Sequence, residues 1–178
     1  MTIDVKIELL PILPEDFQMI YSEMEKNFIS EERRDRELAK AILEDEKYTV
    51  YNIFSNSLKV GFIALWHLTD YRFIEHFVIY EEFRNRGLGA LSLLKLKELF
   101  PNLVLEAELP IEKLASRRVK FYERCGFKLN PQNYIQPPYR DSDDGTPLVI
   151  MSYPDLLESF TETVSELYKT VYKKNYTG

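Results

Sequence analysis

Apolar and polar residues alternate from Asp4 to Leu9, with Val5, Ile7 and Leu9 against Lys6 and Glu8, and this predicts an opening strand. The period then changes. Pro14-Glu15-Asp16 is a helix start with acids in its first turn, and Phe17, Ile20, Tyr21, Met24 and Phe28 recur at helical spacing. The run EERRDRE, Glu31 to Glu37, predicts a second helix that continues through Leu38, Ile42 and Leu43. Its Glu32/Arg36 and Arg33/Glu37 pairs have the spacing of a solvated helix face. Tyr48 to Phe54 and Val60 to Leu68 read as a hairpin around Ser55-Asn56-Ser57. In its second strand Phe62, Ala64 and Trp66 oppose Ile63 and Leu65, so both faces are apolar and a central strand is expected.

Phe73 to Ile79 is the next strand, and the helix after it places Leu88, Leu91, Leu94 and Leu99 along one face. Leu103 to Glu108 is a further strand. Pro110 starts a helix with Ile111, Leu114, Val119, Tyr122 and Cys125 on one side. An irregular stretch leads to a last strand, Leu148 to Tyr153. Pro154-Asp155 then opens a terminal helix with Leu156, Phe160, Val164, Leu167 and Val171 on one stripe. The order β-α-α-β-β-β-α-β-α-β(-β)-α implies an α/β (α+β) fold, a mixed sheet with helices packed on it. Residues 1–178 are expected to form one domain, with a core over 1–153 and an extra helix over 154–178. The terminal stripe either covers the sheet or forms a homodimer contact.

Composition narrows the class. A chain of 178 residues with 45% hydrophobic and 29% charged positions is an ordinary soluble domain. No apolar run approaches the roughly 20 residues of a membrane span, and Met1 to Glu15 lacks the pattern of a signal peptide. A single cysteine, Cys125, suits a reducing cytoplasm and reads as a small core residue. The formal net charge of −6 argues against a nucleic-acid partner and is compatible with a cationic small molecule. His67 and His76 are the only histidines, and no metal-ligand spacing surrounds them.

The stretch RNRGLGA, Arg84 to Ala90, opens a helix with glycines and positive charge, which points to an anion held on backbone amides. A P-loop needs Lys-Ser/Thr where this chain has Ala90-Leu91. A dinucleotide fingerprint fits poorly. Ser92 replaces its third glycine, YEEFRNR separates Ile79 from Gly87, and the repeated β-α units are missing, although Glu106 lies near the distance of a ribose-binding acid. The third device, Arg/Gln-x-x-Gly-x-Gly/Ala, is matched by Arg84-x-x-Gly87-x-Gly89. Glycines let a pyrophosphate approach the backbone, the helix dipole favours its charge, and Arg84 or Arg86 adds a charge-assisted contact.

IEHFVIYEEFRNRGLGALSLLKL followed by RRVKFYERCGF resembles the GNAT superfamily of acetyl-CoA-dependent N-acetyltransferases, and the order of elements over Asp4 to Tyr153 is similar as well. The resemblance implies a mostly antiparallel sheet splayed between the strands Phe73–Ile79 and Leu103–Glu108. The pantetheine arm of acetyl-CoA would bind backbone groups of Phe77, Val78 and Ile79 as an added strand does, and an amide near Val78 or Ile79 would stabilise the oxyanion. The pyrophosphate would lie on Arg84, Asn85, Arg86, Gly87, Leu88, Gly89 and Ala90. Tyr122 matches the family tyrosine that protonates the departing thiolate. An asparagine frequent in that second motif is Ala115 here, and neighbouring Ser116 is its substitute.

The general base is left open. Glu75 is an acid in an apolar strand, on the same face as Phe77 and Ile79. Glu106 and Glu108 share one face of the other strand and can bind an ammonium group or relay its proton through water. His76 is expected to face away from Glu75 and pack on a helix. YIQPPYRDSDD reads as the acceptor-side loop, with Tyr134, Tyr139 and the acids Asp141, Asp143 and Asp144 around a cationic amine. The expected activity is direct acetyl transfer to a small primary amine. The alternatives are a non-catalytic acyl-CoA sensor of the same fold and an acetyltransferase acting on protein N-termini or lysines.

Overall fold

The computed structural model describes residues 5–178. Asp4, the first residue of the predicted opening strand, lies outside them. The described strands are β1 (Ile7–Pro11), β2 (Tyr48–Ser55), β3 (Leu58–His67), β4 (Arg72–Ile79), β5 (Leu103–Glu108), β6 (Lys128–Leu129), β7 (Tyr134–Gln136) and β8 (Thr146–Tyr153). The α-helices are α1 (Phe17–Asn27), α2 (Arg36–Ala41), α3 (Leu88–Leu99), α4 (Lys113–Arg124) and α5 (Phe160–Leu167), the last continued by a π-helical turn, Tyr168–Tyr172. The strands follow one another as β1-β2-β3-β4-β5-β8-β6, with β7 also on β8. β4 and β5 are parallel, with Arg72 opposite Leu103 and Ile74 opposite Leu105, whereas the pairs β1/β2, β5/β8, β6/β8 and β7/β8 are antiparallel.

The chain gathers into two compact units. One comprises the chain up to Leu65 together with Glu75–Leu99, and the other comprises Trp66–Ile74 and Phe100–Gly178. In the first, Asn56 and Ser57 both have positive φ (48° and 69°), the geometry of a tight hairpin turn between β2 and β3. The Asn56 side chain accepts from the Lys6 amide at 3.0 Å, which ties the turn to the start of β1. β3 is buried at every residue from Val60 to Trp66, as an apolar pattern on both faces requires. Its Gly61 allows a close approach: a Cβ there would lie 2.1 Å from the Val78 carbonyl oxygen of β4. Ile20, Tyr21, Ile53, Phe62, Leu93 and Leu96 fill this core. In the second unit Leu103, Val104, Leu105, Ile150 and Met151 are buried together with Trp66, Phe127, Val164 and Leu167.

Four expectations change. EERRDRE is not a continuous helix: a 3-10 turn, Ser30–Glu32, ends in extended backbone at Arg33 (φ −145°, ψ 157°), and α2 starts only at Arg36. The break turns Arg34 inward, where it is buried against Glu75, and that pairing overrides the helical charge pattern. In α3 the buried line is Leu88, Ser92, Leu93 and Leu96, while Leu94 and Leu99 are exposed; leucines surround this helix, so periodicity cannot select the inner face. α4 starts at Lys113 instead of Pro110. It buries Ala115 and Val119 and leaves Leu114 exposed, and Ile111 lies exposed ahead of it. α5 starts after Ser159, five residues beyond Pro154, and Leu156 is exposed. Phe160, Val164, Leu167 and Val171 are buried, so this stripe covers its own unit and is not a free dimer face.

Candidate active site

The glycine loop of the first unit runs from the end of β4 through a 3-10 turn, Glu81–Phe83, into α3. Asn85 and Gly87 have positive φ (60° and 75°), so the backbone reverses its curl twice before the helix. The Leu91 amide donates to the Gly87 carbonyl at 3.2 Å and begins the helical ladder. The amides just before it, at Leu88 to Ala90, have no acceptor within the helix and face its open end. A Cβ placed on Gly87 would meet nothing within 4 Å. The loop therefore has open space in front of its glycine and amides at a helix N-terminus behind it, which fits a diphosphate.

Arg84 donates from Nε to the Ile79 carbonyl at 2.9 Å and from a terminal nitrogen to Asn27 Oδ1 at 2.5 Å. Arg86 donates to the Glu82 carbonyl at 2.8 Å and lies over the Phe83 ring. Both arginines are exposed and brace the loop. The bond from Arg84 corrects one detail: the Ile79 carbonyl, expected to be open to an added strand, already accepts from a side chain. Ser92, at the third-glycine position of the rejected fingerprint, is buried with its hydroxyl donating to the Leu88 carbonyl at 2.7 Å.

Alternation along β4 buries His76 and Val78 and turns Glu75, Phe77 and Ile79 to the half-buried face. Glu75 nonetheless has a side chain only 1% exposed, and Arg34 Nη1 lies 2.6 Å from its Oε1. The Tyr48 hydroxyl donates to the same carboxylate; burial and the Glu75 charge push that phenol well above its ordinary range. His76 packs edge-on against Phe28, at 4.7 Å, and its Nε2 donates to the Glu32 carbonyl at 3.1 Å. Its Nδ1 is 3.7 Å from Glu75 Oε2. Burial holds His76 below the usual histidine range, aided by Arg34 and opposed by Glu75.

In the second unit Glu106 is half-buried at the middle of β5 and is ringed by donors. Tyr134 donates to its Oε1, Gln136 to its Oε2 at 2.8 Å, and the Tyr172 hydroxyl contacts both oxygens at 2.9 and 2.7 Å. Tyr139 is half-buried with its ring 5.2 Å from that of Tyr172. Glu108, two residues along the same face, instead pairs with Arg118 at 3.2 Å near the surface. Asp141 pairs with Lys174, beyond the π-helical turn, and Asp143 lies 3.6 Å from Arg140 within the loop, so both acids already have cationic partners. The segment YIQ is a strand, β7, and not a loose loop.

On α4, Tyr122 is edge-on to Phe121 and Phe127, with centroids 5.2 and 5.7 Å away. Burial pushes its hydroxyl up to about 12, against the pull of Arg118. Ala115 is buried, and Ser116 beside it is half-buried. Cys125 caps this helix and is half-buried, less enclosed than a core residue. Among the described residues no cluster of His, Cys, Asp or Glu has the arrangement of a metal site, and no helix is long and apolar enough to cross a membrane.

Sequence reasoning missed Arg34, Tyr48, Gln136 and Tyr172 as partners of the two glutamates. Only the buried acids themselves signalled that such partners must exist.

A model of the acetyltransferase (GNAT) family matches residues 12–127. A solved GNAT-family protein from Bacteroides thetaiotaomicron is 32% identical and superposes with a TM-score of 0.85 over 96% of this chain and 99% of its own. The ribosomal-protein-S18-alanine N-acetyltransferase from Escherichia coli shares the fold at 16% identity (TM-score 0.61; 87% of this chain, 97% of its own). So does an acetyltransferase from Bacillus subtilis solved with CoA, at 14% identity (TM-score 0.58; 86% of this chain, all 100% of its own). No curated protein matches the chain. The strand order, the glycine loop opening α3 and these likenesses agree: the chain belongs to the GNAT acetyltransferase family and is an acetyl-CoA-dependent acyltransferase.

Proposed function

We propose that the protein transfers the acetyl group of acetyl-CoA directly to a primary amine of a small, cationic molecule. The observation that carries this reading is Glu106, a carboxylate in mid-strand whose oxygens accept from two tyrosines and a glutamine. A half-buried anion walled by aromatic rings attracts an ammonium group both by charge and through the ring faces. Tyr134 and Tyr139 belong to the same wall.

Acetyl-CoA supplies an acyl group activated as a thioester. Arg84 to Ala90 hold its diphosphate, with the open space at Gly87 admitting the phosphate oxygens. Backbone groups of Phe77, Val78 and Ile79 orient the pantetheine arm, with Ser116 on α4 as a further contact. Glu75 takes the proton of the amine through its carboxylate, and Tyr122 gives its phenolic proton to the departing sulfur. A phenol held near 12 is fully protonated at neutral pH, as a proton donor must be.

Release of free thiol from acetyl-CoA, measured against a panel of small amines, tests the reading. Turnover is expected to be fastest with amines that carry an additional positive charge. Tight CoA binding with no thiol release from any amine would mark a sensor of the same fold. Turnover only with peptide N-termini would mark a protein acetyltransferase.

A further inference from the structure

We propose that the C-terminal segment completes the acceptor site, with the Tyr172 hydroxyl acting as a positioning residue that fixes the Glu106 carboxylate for the substrate's ammonium group. The inference rests on the assignment of Glu106 as the amine anchor and adds the residue that makes that anchor rigid.

Tyr172 is 6% exposed, Tyr134 4% and Gln136 9%. Three buried donors from two separate segments, β7 and the C-terminal turn, converge on one side chain. Tyr172 spans both carboxylate oxygens, at 2.9 and 2.7 Å, and Gln136 reaches Oε2 at 2.8 Å and the Tyr172 oxygen at 2.9 Å. Such a set fixes the plane of the carboxylate, which a single donor would leave free to rotate. The backbone contributes as well. Tyr168–Tyr172 is a π-helical turn, a wider coil that recurs at functional sites, and it ends at Lys173 in the left-handed region (φ 55°). It brings Tyr168 and Tyr172 to the same region, with ring centroids 6.4 Å apart, beside Tyr139 and Tyr176. Tyr168, however, donates its hydroxyl to the Ile135 carbonyl and not to Glu106.

That difference supplies the control, because both hydroxyls tether the same segment and only one of them holds the carboxylate. If Tyr172 were only a tether, the two would be equivalent.

The protein is assayed with putrescine, spermidine and phenylethylamine as acceptors. Tyr172→Phe keeps the ring and should raise KM for the best of these about tenfold, with kcat within about twofold, since a hydrogen bond to a charged group is lost. CoA affinity by calorimetry should stay close to wild type, and the melting temperature should fall by no more than a few degrees. Tyr168→Phe should leave KM unchanged. In a Glu106→Gln background Tyr172→Phe should add nothing. Wild-type turnover with an unaltered KM in Tyr172→Phe, or an equal rise in Tyr168→Phe, would overturn the inference and leave the proposed function standing. Wild-type protein that releases no thiol with any of the amines would overturn both.

Discussion

Arg34 and Glu75 form an ion pair at 2.6 Å between side chains that are 8% and 1% exposed. Two charges this far from water are held by each other, so removing one leaves the other stranded. Glu75→Gln should therefore destabilise the fold by about 3–5 kcal/mol, and Arg34→Met by a similar amount, in chemical denaturation. The Arg34→Met/Glu75→Met double variant should recover most of that loss. If Glu75 also takes the amine proton, kcat should fall roughly 10²–10⁴-fold in Glu75→Gln and should not return in the double variant. Recovery of both together would assign Glu75 to structure alone.

Gly87 has two reasons to be glycine, and they predict different magnitudes. At φ 75° any β-carbon is strained, by about 1 kcal/mol. Gly87→Val should lower the melting temperature slightly for that reason. It should weaken CoA binding far more, by at least about a hundredfold, if the two added methyl groups enter the space proposed for the phosphate. Calorimetry with CoA and a thermal melt separate the two effects, and equal losses would count against the cradle.

Tyr122→Phe removes one oxygen from a packed helix. Its ring contacts survive, so stability and CoA affinity should hold while kcat falls roughly 10²-fold or more. Because the phenol lies near 12, wild-type kcat should show no decline from Tyr122 ionisation up to pH 10. An alkaline limb near pH 8 that vanishes in Tyr122→Phe would contradict this environment.

His76 gives a pH dependence of stability rather than of rate. Its native pKa lies below the ordinary 6.5, chiefly through burial. Well above pH 6.5 both states are neutral and nothing is lost. As pH falls below that value the unfolded chain binds a proton that the native site resists, so stability drops until the native imidazole itself is protonated. Thermal melts from pH 7.5 to 5 should show wild type losing more than His76→Gln, which keeps a donor for the Glu32 carbonyl. Parallel curves would remove His76 from the account.

Periodicity and turn chemistry made most strands legible. The predicted Leu103–Glu108 strand agrees with β5 at both ends, and Asn56-Ser57, inside the predicted Ser55-Asn56-Ser57, forms the hairpin turn. The turn that opens α3 could be read because its geometry is local, carried by seven consecutive residues. The partners of Glu75 and Glu106 could not. Arg34 lies 41 positions from Glu75, and Tyr172 lies 66 from Glu106, so no local pattern joins them. Arg34 was further disguised by neighbours whose charges fit a solvated helix. In α3 and α4 the inner face was misjudged because apolar residues were in surplus: Ile111 and Leu114 are exposed and matched the same spacing as buried Val119.

Gly61 closes a route that protein engineers ordinarily use. Exchanging a strand glycine for alanine removes unfolded-state freedom and commonly raises stability. Here the added methyl would collide with a main-chain oxygen that has no rotamer to change, so Val78 and Ile79 would have to back away. The smallest possible enlargement of β3 would thus displace the very peptide units proposed to receive the acyl carrier. Thermostabilised descendants of this enzyme should accept changes at many surface positions and refuse one here.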